Sequence, residues 1–304
     1  MYLHENVNLF KNVIEETKKV IGFDAEIIEK DYYVTMILKL ITQKSTTLGD
    51  VVFKGGTSLS KCHKVIDRFS EDIDITFTEH LGDKRRKKLK YDVMKALADE
   101  LHLSITNWDK IQSNRDLNAY TFYYEPLFNE NYAALIKGVK VETALASYSF
   151  PTETMSISSY IGDYMLDAQP ELAKQYSLEP FKMKTQTLAR TFIDKVYASC
   201  DYYLQGKTRR LSRHLYDLHK IFPKINFDNN FKRLAKEVKS LRAQMDVCPS
   251  AKPGVNVSKL IQKYCAEDFY KADFDFITEI LINEEISYLE VIKTMLKIAS
   301  FDFW

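Results

Sequence analysis

Apolar positions recur at a helical period at both ends of the chain and alternate at a period of two in a stretch between. Val7, Phe10, Val13, Ile14 and Ile21 fall on one stripe and predict a helix over residues 5–21, closed by Gly22. Asp24 is placed to cap a second helix, in which Ile27, Ile28, Tyr32, Met36, Ile37 and Leu40 recur. Its Glu29-Lys30-Asp31 stretch reads as a solvated face, with Lys30 and Asp31 in structural rather than chemical roles. A strand, Val51 to Phe53, meets Gly55-Gly56, then a short helix, a loop and a strand over 72–77. A helix over 83–100 follows, with Val93, Met94, Leu97 and Leu101 on its apolar side. Residues 103–108, 119–124 and 135–145 read as strands. In the last of these, Val139, Val141 and Thr143 share one face, and Lys140, Glu142 and Ala144 the other. Pro151, Gly162, Pro170 and Pro180 predict a long irregular connection over 149–180, with room for one short helix. Helices are expected over 188–204, from Ser212 onward, over 228–245, and at 257–266, 271–283 and 284–299. The tail Phe301-Asp302-Phe303-Trp304 would dock on the body or on a partner. The expected class is α/β (α+β): a mixed sheet with flanking helices in a domain over 1–180, then a helical domain over 181–304.

Composition narrows the class only a little. The chain has 304 residues, 45% apolar and 28% charged, as in ordinary soluble globular proteins. Its net charge of +1 gives no global field for nucleic acid, although a local patch would suffice. Nineteen tyrosines and eighteen phenylalanines favour a large aromatic core. Cys62, Cys200, Cys248 and Cys265 lack metal-ligand spacing and read as reduced thiols of a cytoplasmic protein. No signal peptide or membrane-spanning run is expected. The basic run Asp83-Lys84-Arg85-Arg86-Lys87-Lys88-Leu89-Lys90 reads as a solvated helix face, with an RNA-phosphate surface as the alternative.

The candidate chemistry lies between residues 51 and 77. Gly55 and Gly56 permit a tight turn and close backbone approach, and Thr57 or Ser58 can cap the following helix, whose start would attract phosphate. Asp72 and Asp74 alternate with Ile73 and Ile75, so both carboxylates share one strand face. Two adjacent carboxylates repel unless a cation sits between them. Mg²⁺ takes a few carboxylate oxygens together with substrate phosphates. A phosphate-binding turn beside such a pair predicts a nucleotide site for phosphoryl or nucleotidyl transfer.

Gly55-Gly56-Thr57-Ser58-Leu59 together with Arg68-Phe69-Ser70-Glu71-Asp72-Ile73-Asp74 resembles the AbiEii/AbiGii toxin branch of the DNA polymerase β-like nucleotidyltransferases. The gap over 57–71 is longer than in the general superfamily pattern, while the Arg-Phe-Ser lead-in suits the toxin branch. The resemblance implies a toxin of a bacterial toxin–antitoxin or phage-defence pair that moves a nucleoside monophosphate from NTP to RNA, notably a tRNA 3′ end. It implies Mg²⁺ or Mn²⁺ on Asp72 and Asp74, and Gly55, Gly56, Thr57, Ser58 and Lys61 at the triphosphate. It also carries a phosphate-binding role onto Lys195 across from the second domain, a supporting or base role onto Asp217, and a nucleotide contact onto Arg213. Glu142 is the acidic residue placed to supply a third carboxylate, with an exposed charge beside Lys140 as the alternative. On spacing alone, Arg213 and Asp217 form a helix-surface pair. A protein-modifying nucleotidyltransferase and a nucleotide-binding module without catalysis remain open. A cognate antitoxin is the expected partner, and no membrane.

Overall fold

The computed structural model describes residues 1–128, 137–145, 150–282 and 284–304, with only the backbone of 277–281. The expected strand start at Leu135-Ile136 and the expected helix end at 283 lie outside the described residues. The chain divides into two compact units, one of residues 1–62 and 70–185, the other of 63–69 and 186–304. The short segment 63–69, which sequence places in the first domain, therefore packs with the helical unit.

The first unit is built on a seven-stranded mixed sheet. Its strands are β1 (Val51–Lys54), β2 (Ile73–Phe77), β3 (Ser104–Ile105), β4 (Leu117–Tyr123), β5 (Val139–Ala144), β6 (Thr152–Ile157) and β7 (Phe181–Gln186). They lie in the order β3-β4-β5-β2-β1-β7-β6. β1 runs antiparallel to β2 and parallel to β7, and β2 runs parallel to β5, so the carboxylate strand lies in the middle of the sheet. Ile73, Ile75, Val139 and Val141 are fully buried, as a central strand face requires.

The helix Ala25–Lys44 is buried almost throughout and packs against the helix Val7–Ile21 and the sheet. A helix wrapped on all sides carries no amphipathic stripe. Its Glu29-Lys30-Asp31 triplet is not a solvated face, because all three residues are buried. Asp24 holds the cap position without a side-chain bond. Val7 is exposed, and Thr17 takes a core place instead by bonding its hydroxyl to Val13 O at 2.7 Å. In the basic run, Arg86 is buried against Asp116 at 2.8 Å and Leu81 O at 2.7 Å, while Lys84, Lys87 and Lys88 face solvent.

The connection over 149–180 is not irregular. It holds β6, a helix Tyr160–Ala168 and a helix Pro170–Gln175, and β7 follows. Proline at the first helical position starts a helix rather than breaking one, because its missing N–H is one the helix leaves unused. Gly162 lies buried inside a helix because a Cβ there would meet Leu178 O at 2.6 Å.

In the second unit the helix Leu188–Leu204 packs against the helices Arg213–Ile221, Asn229–Arg242 and Val257–Ala266, and Tyr288–Ala299 packs on Val257–Ala266 and Arg213–Ile221. The aromatic tail docks on this unit. Trp304 donates to Ile298 O at 2.8 Å and packs by Phe192, Tyr197 and Phe231.

Candidate active site

β1 runs straight into a bend at Gly55, whose φ of 80° is the left-handed conformation that glycine adopts most easily. Lys54 on β1 pairs with Asp74 on β2. A side chain at Gly55 would place its Cβ 1.9 Å from Asp74 Oδ2, so the carboxylate lies against the bare glycine. Ile73 and Ile75 are buried, and Asp74 lies on the opposite, partly open face; Asp72 precedes the strand, which begins at Ile73 rather than at 72, and its Oδ1 is buried.

A second link joins the two segments. The Thr57 hydroxyl contacts the Asp72 carbonyl and lies 3.0 Å from Ser70 Oγ. Thr57 and Ser58 do not cap the helix Gly55–Lys61. The cap position is Lys54, both hydroxyl residues lie inside the helix, and Ser58 donates to Gly55 O at 2.9 Å. The helix starts three residues earlier than a Thr57 cap would place it, because it begins at the glycine itself.

Glu142 lies on β5 in register with Asp74, so the two carboxylates project from the same face of adjacent parallel strands. Glu142 also contacts Lys140. Burial works against the charge on Lys140, but Glu142, Asp72 and Asp74 outweigh it and hold the ammonium pKa above its ordinary value. The three carboxylates thus share one local field. Among the described residues no three His, Cys, Asp or Glu side chains already converge as a metal cage. The donor chemistry suits Mg²⁺ or Mn²⁺ even so: hard carboxylate oxygens, with Asp74 Oδ2 lying in the space that the missing Cβ of Gly55 leaves.

Lys61 ends the glycine helix with its ammonium 2.6 Å from Asp31 Oδ1 and 3.0 Å from Ser158 O, over the Tyr160 ring. Next to Asp72, Glu71 is buried and bound by Lys30. Sequence reading gave Glu71 no role and Lys30 no partner. The signal available was charge in an otherwise apolar helix, which is rarely buried without a partner.

In the helical unit, Asp217 is fully buried between two cations. Arg68 grips it with Nε on Oδ1 and Nη2 on Oδ2, both at 2.7 Å, and Lys195 Nζ lies 2.7 Å from Oδ2. Burial alone would raise the Asp217 pKa, but Arg68 and Lys195 reverse this and hold it well below the carboxylate range. Burial lowers the pKa of Lys195, and Arg68 adds to the lowering while Asp217 opposes it. His214, 3.5 Å from Lys195, is pushed well below its ordinary pKa by burial and then by Lys195 and Arg213. Both Asp217 oxygens therefore face Arg68 and Lys195, whereas helix spacing pointed to Arg213. In the sequence Arg68 stands only as part of a motif, 149 residues from Asp217. Asp194, beside Lys195, is engaged with Arg190 at 3.0 Å and Arg242 at 3.2 Å.

The described residues include no helix long and apolar enough to cross a membrane. No curated protein matches the sequence. Among solved structures, the chain resembles MenT4, a nucleotidyltransferase toxin from Mycobacterium tuberculosis H37Rv, with a TM-score of 0.60 at 17% identity, over 94% of this chain and 88% of that one. At that identity the likeness speaks for the fold. The family model described as nucleotidyl transferase AbiEii toxin, type IV toxin–antitoxin system, matches residues 39–295, which include both the glycine bend and Asp217. The chain accordingly belongs to the AbiEii family of nucleotidyltransferase toxins of type IV toxin–antitoxin systems.

Proposed function

We propose that this nucleotidyltransferase moves a nucleoside monophosphate from an NTP to an RNA hydroxyl, that of a tRNA 3′ end, with release of pyrophosphate and with Mg²⁺ or Mn²⁺ as the required ion. The supporting observation is the closeness of Asp74 Oδ2 to the bare Cα of Gly55, with Asp72 at the position just before β2. Asp72 and Asp74 would hold the ion, which when bound polarises phosphoryl and hydroxyl oxygens. The bend at Gly55 and Gly56, with Thr57 and Ser58 buried beneath it, presents backbone to the triphosphate. Glu142 adds a third carboxylate on the face that carries Asp74. Lys195, Arg213 and Asp217 keep the nucleotide-side roles that family membership suggests. In the cytoplasm a cognate antitoxin would restrain the activity, in keeping with a phage-defence pair.

The test uses purified protein, each NTP labelled at the α-phosphate, Mg²⁺ and total tRNA. Label at tRNA 3′ ends is expected with the wild type. Removing about 4 kcal/mol of transition-state stabilisation slows a reaction roughly a thousandfold. Asp72→Asn and Asp74→Asn should each do so without lowering the melting temperature, because each also removes a carboxylate repulsion. Label in protein instead of RNA, or full activity in both variants, overturns the reading.

A further inference from the structure

Two ion pairs fix the two halves of the candidate site to one buried helix. Lys30 and Asp31 are consecutive residues of the helix Ala25–Lys44 and are 1% and 4% exposed. Successive helical residues point about 100° apart, so neighbours reach in different directions. Lys30 binds Glu71, the residue before Asp72. Asp31 binds Lys61, the last residue of the glycine helix, and also accepts the Tyr160 N–H at 2.9 Å. The halves are joined directly by the β1–β2 ladder, with Lys54 opposite Asp74, and by the Thr57 hydroxyl on the Asp72 carbonyl. In sequence, Lys61 lies four residues after Thr57 and Glu71 one residue before Asp72. Each pair is charge-balanced, so Glu71 adds no net negative charge beside Asp72.

Nothing in ordinary fold economy calls for this arrangement. Buried ion pairs are weak sources of stability, since apolar replacements of similar volume often do as well. They do fix geometry, because a charge removed from water tolerates one partner position and few others. We propose that Lys30 and Asp31 are positioning residues of the transfer site, which set the separation between the glycine bend and the Asp72–Asp74 pair. The proposal rests on the reading of those aspartates as the metal-binding pair.

A shift of about 1 Å in a reacting geometry costs on the order of a hundredfold in rate. Lys30→Met, which keeps the length and removes the charge, should lower kcat by about that factor at a temperature below its melting transition. KM for NTP should change far less, since ground-state contacts with the nucleotide are untouched. Lys30→Arg restores an ion pair and should recover most of the rate. Asp31→Asn keeps an acceptor for the Tyr160 N–H and should act in the same direction. If Lys30→Met does not fold, Asp31→Asn decides by its kcat alone, because it also releases Lys61, an expected triphosphate contact. Wild-type kcat in the folded variants, with only a lower melting temperature, overturns the proposal. Asp72→Asn measured alongside separates the two claims: if it transfers at the wild-type rate, the functional reading falls instead.

Discussion

At the scale of single residues the site depends on Gly55. Its left-handed φ costs a non-glycine residue about 1–2 kcal/mol. Its missing Cβ is also what lets Asp74 Oδ2 lie where it does. Gly55→Ala should therefore lower stability by at least ~2 kcal/mol in urea titration and abolish transfer, because the carboxylate must move. A loss of activity with unchanged stability would contradict this account. Asp217 works differently. Asp217→Asn leaves Arg68 and Lys195 in a buried place with their shared counter-charge gone, and breaking such a pair costs about 3–5 kcal/mol. Its depressed pKa means that the wild-type contribution is present above the unfolded carboxylate value and is lost as pH falls below about 4. His214 acts at higher pH. It is held neutral, so below pH ~6.5 the unfolded chain binds a proton that the folded chain refuses. Stability should then fall with decreasing pH by up to about 1.4 kcal/mol per unit. Denaturant melts of His214→Gln between pH 5 and pH 7, a range set by that reference value, should lose this slope.

At the scale of elements, what could be read in the sequence follows periodicity. The helices Val7–Ile21 and Leu188–Leu204 announce themselves by a stripe, and β2 by its alternation of isoleucine with carboxylate. β6 could not be found this way, because Thr-Glu-Thr-Met-Ser-Ile buries almost nothing and so carries no pattern. The helix Ala25–Lys44 was legible as a helix and illegible as an environment. A charge looks the same in sequence whether water or a distant partner meets it, and Glu71 is 41 residues from Lys30. Glu29 has a separate consequence. Its carboxylate accepts the N–H groups of Leu127 and Phe128. Burial pushes its pKa up to about 7, although those bonds oppose the rise. A group with a raised folded pKa contributes stability below its unfolded value and loses it as pH climbs through the folded one. For Glu29 that loss runs from about pH 4.5 to about pH 7. Its sign is opposite to that of His214 over their overlap. Glu29→Gln keeps an acceptor oxygen without the charge, so at pH ~8 it should raise stability by roughly 1–3 kcal/mol and leave pH ~4 unchanged. Equal stability of variant and wild type at the alkaline end would show that the carboxylate is solvated.

At the scale of the whole molecule, linear sequence misplaces one short segment, and the error is informative. A cut near residue 180 treats the chain as two beads, yet residues 63–69 belong to the later unit by their packing. The reason is specific: Arg68 holds Asp217, the Asp67 N–H meets Tyr216 Oη at 3.0 Å, and His63 lies 2.9 Å from Gln186 O. A strand such as β1 signals itself through local pattern, whereas a loop recruited by distant side chains carries no periodic trace. The segment is also the covalent link between the glycine helix and the carboxylate strand. The helical unit is therefore incomplete without a piece of chain that sequence order assigns elsewhere. A fragment of residues 186–304 would keep Lys195 and Asp217 but lose Arg68, and with it two of the three short contacts on a fully buried carboxylate. Losing a buried partner of that kind costs about 3–5 kcal/mol, a large share of the ~5–15 kcal/mol that stabilises a typical folded protein. The fragment should show helical far-ultraviolet dichroism but a broad, low-temperature melt. Adding a peptide of residues 63–69 should sharpen and raise that melt, and the same peptide with Arg68→Ala should not. A fragment that melts cooperatively without any peptide, at the temperature of the full chain, would show that the helical unit is complete from residue 186 onward.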